Sequence, residues 1–347
     1  MDNQLTSSDT PSLSRREFLQ LGSAAALGLI LPLNGIFPSL APDQYGRIAV
    51  AKVSLYDRPS FNGKELKAYW RDMVVPITEV TVGDEEPAYN RTWYQIGEEG
   101  YAHSGGIQPV QTHLNKPVKE IPKAGVLAEV TVPFTDAYWG PGKNFPFAYR
   151  FYYETTYWLT RTVQDNRGDP WYRVADDKWE MIFFVPAEHL RIVPEEELEP
   201  LGKRVKPKDK RIEVQLGKQL VVAYEKDKPV FSTRAATGAE FSNGRFLTPL
   251  GRHMTFHKRP SRHMAAGDIA SNGYDLPGVP WICYITEKGI SFHGTYWHND
   301  YGRPRSHGCI NLTPAAAKWL FRWTLPIVPA DSQDVYEDFG TQVDVVD

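Results

Sequence analysis

The 347-residue sequence has only two cysteines, Cys283 and Cys309, so a network of disulfide bonds cannot hold the fold together. It also lacks a strong excess of one charge, because 39 Lys and Arg side chains stand against 42 Asp and Glu, a formal net charge of -3. A near-neutral chain gives no reason to expect a nucleic acid as a partner. Its length and its 41% hydrophobic content predict a folded protein with two or three separate cores.

The N-terminus carries a weakly hydrophobic stretch, from Leu21 to Phe37, directly after the run Ser14 to Leu19, which contains paired arginines. This order is typical of a twin-arginine export signal. Residues 1–41 are therefore predicted to be such a signal, either removed after Ala41 or retained as a membrane anchor. The rest of the chain is then expected in the periplasm, in the cell wall or at the outer face of the cytoplasmic membrane. Only the signal is expected to contact a membrane.

Two segments of short β-type runs follow, at residues 45–111 and 125–199. They share two similar runs, at offsets of 79 and 78 residues: Val53–Asp57 with Val132–Asp136, and Trp93–Ile96 with Trp171–Val174. Two matches at nearly one spacing indicate a duplicated small β-barrel. Each unit resembles the bacterial SH3-like domains of envelope enzymes. The resemblance implies either binding to wall material or a role as a spacer.

A third domain is expected beyond a charge-rich linker at residues 200–210. From Arg211 onward apolar and polar residues alternate, which predicts a β-meander, and helical spacing appears only after Thr313, a residue type that caps helices. The predicted fold is mainly β: two small SH3-like β-barrels, then a β-rich domain at residues 211–330 with a short C-terminal helix. Residues 331–347 are predicted to be a tail.

Three histidines and a cysteine lie within 17 residues, from His293 to Cys309. A free cysteine is only about 3% thiolate at pH 7, so a catalytic cysteine needs a nearby base or positive charge, which His293 or His307 can provide. Gly308 leaves the backbone before the sulfur unhindered, so the amides of Gly308 and Cys309 are candidate donors to an oxyanion. A zinc site and an inert buried thiol are the alternatives. The spacing favours a nucleophile, with no metal and no organic cofactor.

The two halves of this cluster, His293-Gly294-Thr295 and Ser306-His307-Gly308-Cys309, resemble the signature of the L,D-transpeptidase catalytic domain, often called the YkuD-type domain. Thr248–Gly251 and Gly278–Trp281 add to the resemblance. The resemblance implies that Cys309 attacks a peptide carbonyl of a peptidoglycan stem while His293 takes and returns the proton. D-alanine then leaves from a thioester, which the side-chain amine of a second stem resolves.

The resemblance also implies roles for neighbouring residues. His307 is expected to support the environment of the cysteine, and Gly294 to orient the base through its carbonyl. Gly308 and Ser306 complete the group assigned to the oxyanion and to orientation.

The substrate-binding side is less regular. Asn311 stands where many family members carry Arg, so Arg305 or Arg303 is a candidate partner for the substrate carboxylate. The segment from Arg252 to Gly278 has the length and composition of a lid, and its Tyr274 is expected to line the acyl-donor site.

The leading hypothesis is an enzyme, a cysteine acyltransferase that forms 3,3 cross-links between peptidoglycan stems. An L,D-carboxypeptidase, or acyl transfer to another amine in the same fold, is the close alternative. A non-catalytic wall-binding protein is the alternative of another class, against which the intact His293 and Cys309 count. Cys283 is expected to be structural and too far from Cys309 to form a disulfide.

Overall fold

The computed structural model describes residues 44–242, 244–267 and 273–347. The predicted export signal, residues 1–41, lies outside the described residues. Within these ranges, no helix is both long and apolar enough to cross a bilayer. Strands dominate the described chain, and a single α-helix of ten residues lies near its C-terminal end. The prediction of a mainly β protein with a short C-terminal helix is therefore confirmed.

The first module is one seven-stranded sheet in the strand order β3-β2-β6-β5-β4-β1-β7. Its strands are β1 (Tyr45–Ile48), β2 (Lys52–Tyr56), β3 (Glu65–Trp70), β4 (Val74–Val82), β5 (Thr92–Ile96), β6 (Gly100–His103) and β7 (Ile107–Val110). Alternate apolar side chains of these strands, such as Val53 and Leu55, point into one small core.

The second module is also a seven-stranded sheet, in the order β10-β9-β13-β12-β11-β8-β14. Its strands are β8 (Val126–Val130), β9 (Phe134–Tyr138), β10 (Phe147–Tyr152), β11 (Thr156–Gln164), β12 (Pro170–Ala175), β13 (Ile182–Pro186) and β14 (Leu190–Ile192). The two modules therefore have the same strand order, with β1 to β7 of the first equivalent to β8 to β14 of the second. A short 3-10 turn precedes the last strand in both modules.

Strand pairing gives the true equivalence of the two modules. Val53 pairs with Tyr69 in the first module, and Thr135 pairs with Phe151 in the second, which places the β2–β3 and β9–β10 hairpins at an offset of 82 residues. The sequence match aligns Val53 with Val132, at an offset of 79. The structure instead places buried Thr135 and Ala137 at the positions equivalent to Val53 and Leu55, so this offset is wrong by three residues. The shared order supports duplication. The SH3-like assignment stays a prediction.

The third domain contains two five-stranded sheets, a two-stranded hairpin and the helix α1 (Pro314–Trp323). The first sheet has the order β17-β16-β15-β26-β20, and the second has the order β24-β23-β22-β21-β25. The strands are β15 (Lys210–Gln215), β16 (Leu220–Glu225), β17 (Lys228–Arg234), β18 (Ala239–Phe241), β19 (Gly244–Phe246), β20 (Gly251–Met254), β21 (His257–Ala266), β22 (Tyr274–Tyr284), β23 (Ser291–Gly294), β24 (Ile310–Leu312), β25 (Val335–Tyr336) and β26 (Gln342–Val346).

The C-terminal segment is part of this domain. The sequence predicts residues 331–347 to be a tail, but β26 lies between β15 and β20 in the first sheet and runs parallel to β15. Val343 and Val345 of β26 are buried in the main core of the domain. This is a correction: an alternating Val-Asp-Val run is the pattern of a half-buried strand, so the domain extends to the end of β26.

The helix α1 packs on the second sheet and is held at both ends. Thr313 caps its start as predicted, since its hydroxyl accepts a hydrogen bond from the amide of Ala316 at 3.2 Å. Near its end Lys258, which is 1% exposed, donates to the carbonyls of Phe321, Thr324 and Pro326. These carbonyls lack helical partners, so the lysine satisfies groups that would otherwise be buried and unpaired.

The modules dock on one another through charged contacts. Asp72 of the first module pairs with Arg47 at 3.0 Å and with Arg150 of the second module at 3.0 Å. Arg47, which is buried, also donates to the carbonyl oxygen of Tyr296 in the third domain. One cluster therefore links all three folded units next to the loop that follows β23.

Candidate active site

Cys309 lies where two parallel strands begin beside each other. β23 pairs with β24 in parallel, with Phe292 opposite Ile310 and His293 opposite Asn311. Cys309 comes directly before β24, and its Sγ lies 3.7 Å from Ser291 Oγ and 3.6 Å from the carbonyl oxygen of Gly289. The side chain is partly exposed, so a substrate can reach the sulfur.

His293 lies on the same side of β23 as Ser291, because alternate residues of a strand face one way. Its Nδ1 lies 3.0 Å from the carbonyl oxygen of Gly294. A carbonyl only accepts, so the neutral ring carries its proton on Nδ1 and leaves Nε2 as a base. His293 itself is 2% exposed.

Burial sets the protonation of this pair. It lowers the pKa of His293 to about 4, although the hydrogen bond to Gly294 opposes the shift. It also raises the pKa of the Cys309 thiol, while Ser291 acts in the opposite direction. At neutral pH the resting site therefore holds a neutral imidazole and a thiol, and not an ion pair. Such a pair acts by general-base catalysis, with the proton leaving sulfur during attack.

A tight turn shapes the backbone before the sulfur. Gly308 has φ 109, a conformation that L side chains rarely adopt. Its amide donates to Ser306 Oγ at 3.1 Å, and its carbonyl accepts from Thr248 Oγ1 at 2.7 Å. The sequence suggested that the Gly308 amide donates to an oxyanion, but here Ser306 engages that amide. Ser306 and Thr248 thus hold the turn.

His307 lies in an aromatic cluster at the surface. Its ring stacks on Phe241 at 4.9 Å between centroids and meets Phe246 edge-on at 4.6 Å. Tyr274 lies on another side of the ring, at 5.9 Å. His307 is exposed, and partial desolvation lowers its pKa. We call Phe241, Phe246, Tyr274 and His307 the cleft rim. The predicted substrate residue Tyr274 belongs to it. Burial raises the pKa of Tyr274, and the proximity of Cys309 adds to the shift.

The two remaining predicted substrate residues are engaged with other protein groups. The Asn311 side-chain nitrogen lies 3.0 Å from Nε2 of buried His298. Arg305 donates to Asp300 Oδ2 at 2.7 Å, and Arg303 donates to the same oxygen at 2.8 Å. Asp300 is 3% exposed, so the two arginines neutralise a buried carboxylate.

Sequence reasoning missed Ser291, His298 and the two phenylalanines of the cleft rim. The signal for Ser291 was present, since Ile290-Ser291-Phe292-His293 alternates and places Ser291 beside the base. Phe241 and Phe246 carry no such signal, because the hairpin β18–β19 brings them to His307 from a distant part of the chain.

Cys283 belongs to the core on the other side of the sheet. It is buried, and its Sγ lies 3.7 Å from Thr324 Oγ1 near the end of α1. Both cysteines are free. In the part of the chain that the structure describes, no group of three or more His, Cys, Asp and Glu side chains is arranged to hold a metal ion.

The fold and the site together define a β-rich domain with a partly exposed cysteine and a buried histidine on adjacent strands. Residues 209–345 match the family model described as YkuD, the L,D-transpeptidase catalytic domain. The third domain is therefore an L,D-transpeptidase catalytic domain, and the resemblance seen in its sequence is confirmed. The match does not extend to the two modules or to the N-terminal signal.

Several solved structures are similar to the chain. The crystal structure of a mutant Enterococcus faecium L,D-transpeptidase is 26% identical over 40% of this chain and 49% of that one, with a TM-score of 0.31. The NMR structure of the catalytic domain from an E. faecium L,D-transpeptidase is 26% identical over 40% and 96%, with a TM-score of 0.31. An L,D-transpeptidase from Mycobacterium smegmatis is 18% identical over 55% and 89%, with a TM-score of 0.31.

The aligned part spans about half the length of that mutant E. faecium protein. A search of curated proteins finds no match.

Proposed function

We propose that this chain is a cysteine L,D-transpeptidase that forms 3,3 cross-links between peptidoglycan stem peptides. The observation that carries the proposal is the partly exposed Cys309 beside the strand of buried His293, in a domain that matches the L,D-transpeptidase catalytic domain. Cys309 is the nucleophile and His293 is the general base.

The reaction has two acyl-transfer steps. Cys309 Sγ attacks the carbonyl carbon that precedes the terminal D-alanine, and His293 Nε2 takes the thiol proton. The C–N bond then breaks, the D-alanine amine leaves with that proton, and a thioester remains on Cys309. The side-chain amine of a second stem attacks the thioester, gives its proton to His293, and the proton returns to sulfur. This reaction requires no redox step and no cofactor.

The test is to incubate the full-length chain with a disaccharide tetrapeptide and to follow dimer, tripeptide and thioester adduct by mass spectrometry. Dimer together with an adduct on Cys309 is expected. Tripeptide without dimer would instead assign L,D-carboxypeptidase activity. Unchanged products from the Cys309→Ala variant would show that Cys309 is not the nucleophile. Cys283→Ala is the matched control and is expected to keep the activity, since this thiol lies in the core.

The site of action proposed for the chain is outside the cytoplasmic membrane, after export through the twin-arginine pathway. The paired arginines Arg15 and Arg16 before an apolar stretch support this proposal. Replacing both with Lys should leave the protein in the cytoplasmic fraction. Binding of the two modules to wall material is also a proposal, and co-sedimentation of the Cys309→Ala chain with purified cell walls would test it.

A further inference from the structure

A buried histidine connects the second module to the hairpin β21–β22 of the catalytic domain. His263 of β21 lies between two carboxylates. Its Nδ1 is 2.5 Å from Oδ1 of Asp176, which is in the turn between β12 and β13, and its Nε2 contacts Oδ1 of Asp275 in β22. The His263 side chain is 1% exposed, and that of Asp176 is 4% exposed. We call these three residues the clamp.

The geometry of the clamp specifies its charge. Each ring nitrogen of His263 faces a carboxylate oxygen, which accepts hydrogen bonds when it is ionised. A neutral imidazole has only one N–H, whereas an imidazolium has two. His263 is therefore an imidazolium that donates to Asp176 of the second module and to Asp275 of its own domain. The two carboxylates raise its pKa above the ordinary value, although burial, the largest single influence, acts in the opposite direction.

Among the described residues, no cation other than His263 forms an ion pair with Asp176 or Asp275. Asp176 Oδ2 accepts from the amides of Trp179 and Lys178, and Asp275 Oδ2 accepts from the Tyr149 hydroxyl. Arg262 and Arg259 face the neighbouring Asp177, at 2.7 and 3.0 Å. Asp334 and His257 face the outer side of Arg259, and Tyr284 lies near Arg262. His263 is thus the cation in direct contact with Asp176 and Asp275, while Arg262 acts on Asp176 from farther away.

One end of the clamp is a direct neighbour of the cleft rim. Asp275 is followed by the rest of β22 and preceded by Tyr274, whose ring lies 5.9 Å from that of His307. A shift of Asp275 must move Tyr274, because one peptide bond joins them. The second module is therefore in structural contact with the acyl-donor side of the site.

We propose that Asp176 is a positioning residue for the donor site: through protonated His263 it holds Asp275, and thereby keeps Tyr274 against His307. The contact is released when His263 loses its proton. The inference rests on the proposed function, because it assumes that the cleft rim receives the acyl donor of Cys309.

The direction of the pH effect follows from the raised pKa of His263. The folded state holds this proton more tightly than the unfolded chain does. The clamp therefore contributes its full stability below the ordinary histidine pKa, and loses it as the pH rises through the raised pKa. An alkaline limb in the activity of the enzyme is the expected consequence.

The experiment compares full-length wild type with the Asp176→Asn variant. The pKa of His263 is read by NMR on chain with isotope-labelled histidine, and the His263→Gln variant identifies the signal. Asp176→Asn should lower that pKa by about one unit, since it removes one of two opposite charges. At pH 7 it should raise KM for the tetrapeptide donor about tenfold and change kcat less, because positioning is lost and the chemistry is not. Its alkaline limb should move to lower pH.

Two further variants control for a general effect on the second module. Asp169→Asn removes an exposed ion pair with Arg167 in this module, away from the clamp, and should behave like wild type. Asp176→Glu keeps the charge and should keep the alkaline limb in place. Hydrogen exchange of the β11 and β12 amides, unchanged in Asp176→Asn, shows that the module is folded.

The outcomes separate the two proposals. If Asp176→Asn lowers the His263 pKa but leaves KM and the alkaline limb at wild-type values, the clamp is structural only and the inference is wrong. If wild type forms neither dimer nor tripeptide, the proposed function is wrong. Hydrogen exchange of the Tyr274 amide then still reads the coupling, and equal exchange in wild type and Asp176→Asn would overturn it as well.

Discussion

Ser291 Oγ lies 3.7 Å from Cys309 Sγ, on the same face of β23 as His293, the proposed base. The hydroxyl is therefore close enough to stabilise negative charge on the sulfur, and this contact opposes the effect of burial on the thiol pKa. A resting thiol that is largely protonated gains from any such donor during attack.

Substitution of Ser291 with Ala should raise the pKa of Cys309 further and slow its alkylation at pH 7 by about threefold to tenfold, as expected for the loss of one weak hydrogen bond of about 1 kcal/mol. The measurement is the pH dependence of alkylation by iodoacetamide, followed by intact mass. Ser332→Ala changes a partly exposed serine far from the site in sequence and is the control. An unchanged pH profile in Ser291→Ala would contradict the assigned role.

The rate of adduct formation should fall on the acid side of its pH profile near the pKa of His293, which burial lowers to about 4. His293 stays a neutral base above that pH, so adduct formation should persist well below pH 6.5 and fall toward pH 4. The same group destabilises the fold as the pH falls through this window, because the unfolded chain binds the proton more readily. Adduct formation against pH tests this, with folding followed by tryptophan fluorescence. A limb near pH 6.5 would mean that His293 is not the base.

Arg305 should matter for the fold and not for substrate binding. It donates to the buried carboxylate of Asp300, so Arg305→Ala leaves that charge with Arg303 as its remaining arginine partner. The expected result is a lower melting temperature, with KM for the tetrapeptide within about twofold of wild type. A large rise in KM at unchanged stability would support the other hypothesis, in which Arg305 binds the substrate carboxylate.

Glu154 should destabilise the protein at alkaline pH. Burial raises its pKa to about 8, and the like charge of Glu129 adds to the shift. The folded state therefore holds a proton that the unfolded chain has released, and stability falls between the two pKa values as the pH rises. Glu154→Gln should match wild type near pH 4.5 and exceed its unfolding free energy by about 4 kcal/mol at pH 8.5. Urea denaturation tests this, with the exposed Glu120→Gln as control. Equal stability at both pH values would contradict it.

Lys258 should be a strong determinant of stability. Its ammonium group is buried and satisfies three backbone carbonyls near the end of α1. Lys258→Met fills the same space but leaves these acceptors unpaired, so the unfolding free energy should fall by about 3 kcal/mol. Chemical denaturation measures the loss, and Lys288→Met, on the surface, should show no change. A loss below about 1 kcal/mol would mean that water replaces the lysine.

The sequence was most informative where a local pattern determines the geometry. His293 and Cys309 could be proposed as base and nucleophile because each stands in a short motif, and Thr313 could be predicted as a cap because capping depends on the next three residues. The β26 strand was missed because a short alternating run at the chain end resembles a tail until its two partner strands are known. The hydrogen bond that the Gly308 amide donates to Ser306 Oγ could not be predicted either, because the sequence does not show where a hydroxyl points in a turn.

Long-range contacts account for the rest. His263 shows no local pattern, and its significance depends on Asp176, 87 residues earlier in the chain. Likewise, Arg305 looked free for a substrate because Asp300 was not known to be buried. His263 finds its partner across two folded units, whereas Arg305 pairs with Asp300 in its own loop, where the sequence does not show that the carboxylate is buried.

The ion pairs between the folded units also distinguish the order of the units along the chain. The first module offers Asp72 to Arg150 of the second, and the second offers Asp176 and Asp177 to His263 and Arg262 of the third. In each case the earlier unit supplies the acid and the later unit supplies the base. Although the two modules share one strand order, they are not interchangeable parts. Deletion of the first module would take Asp72 away from Arg150, and deletion of the second would leave His263 and Arg262 without Asp176 and Asp177.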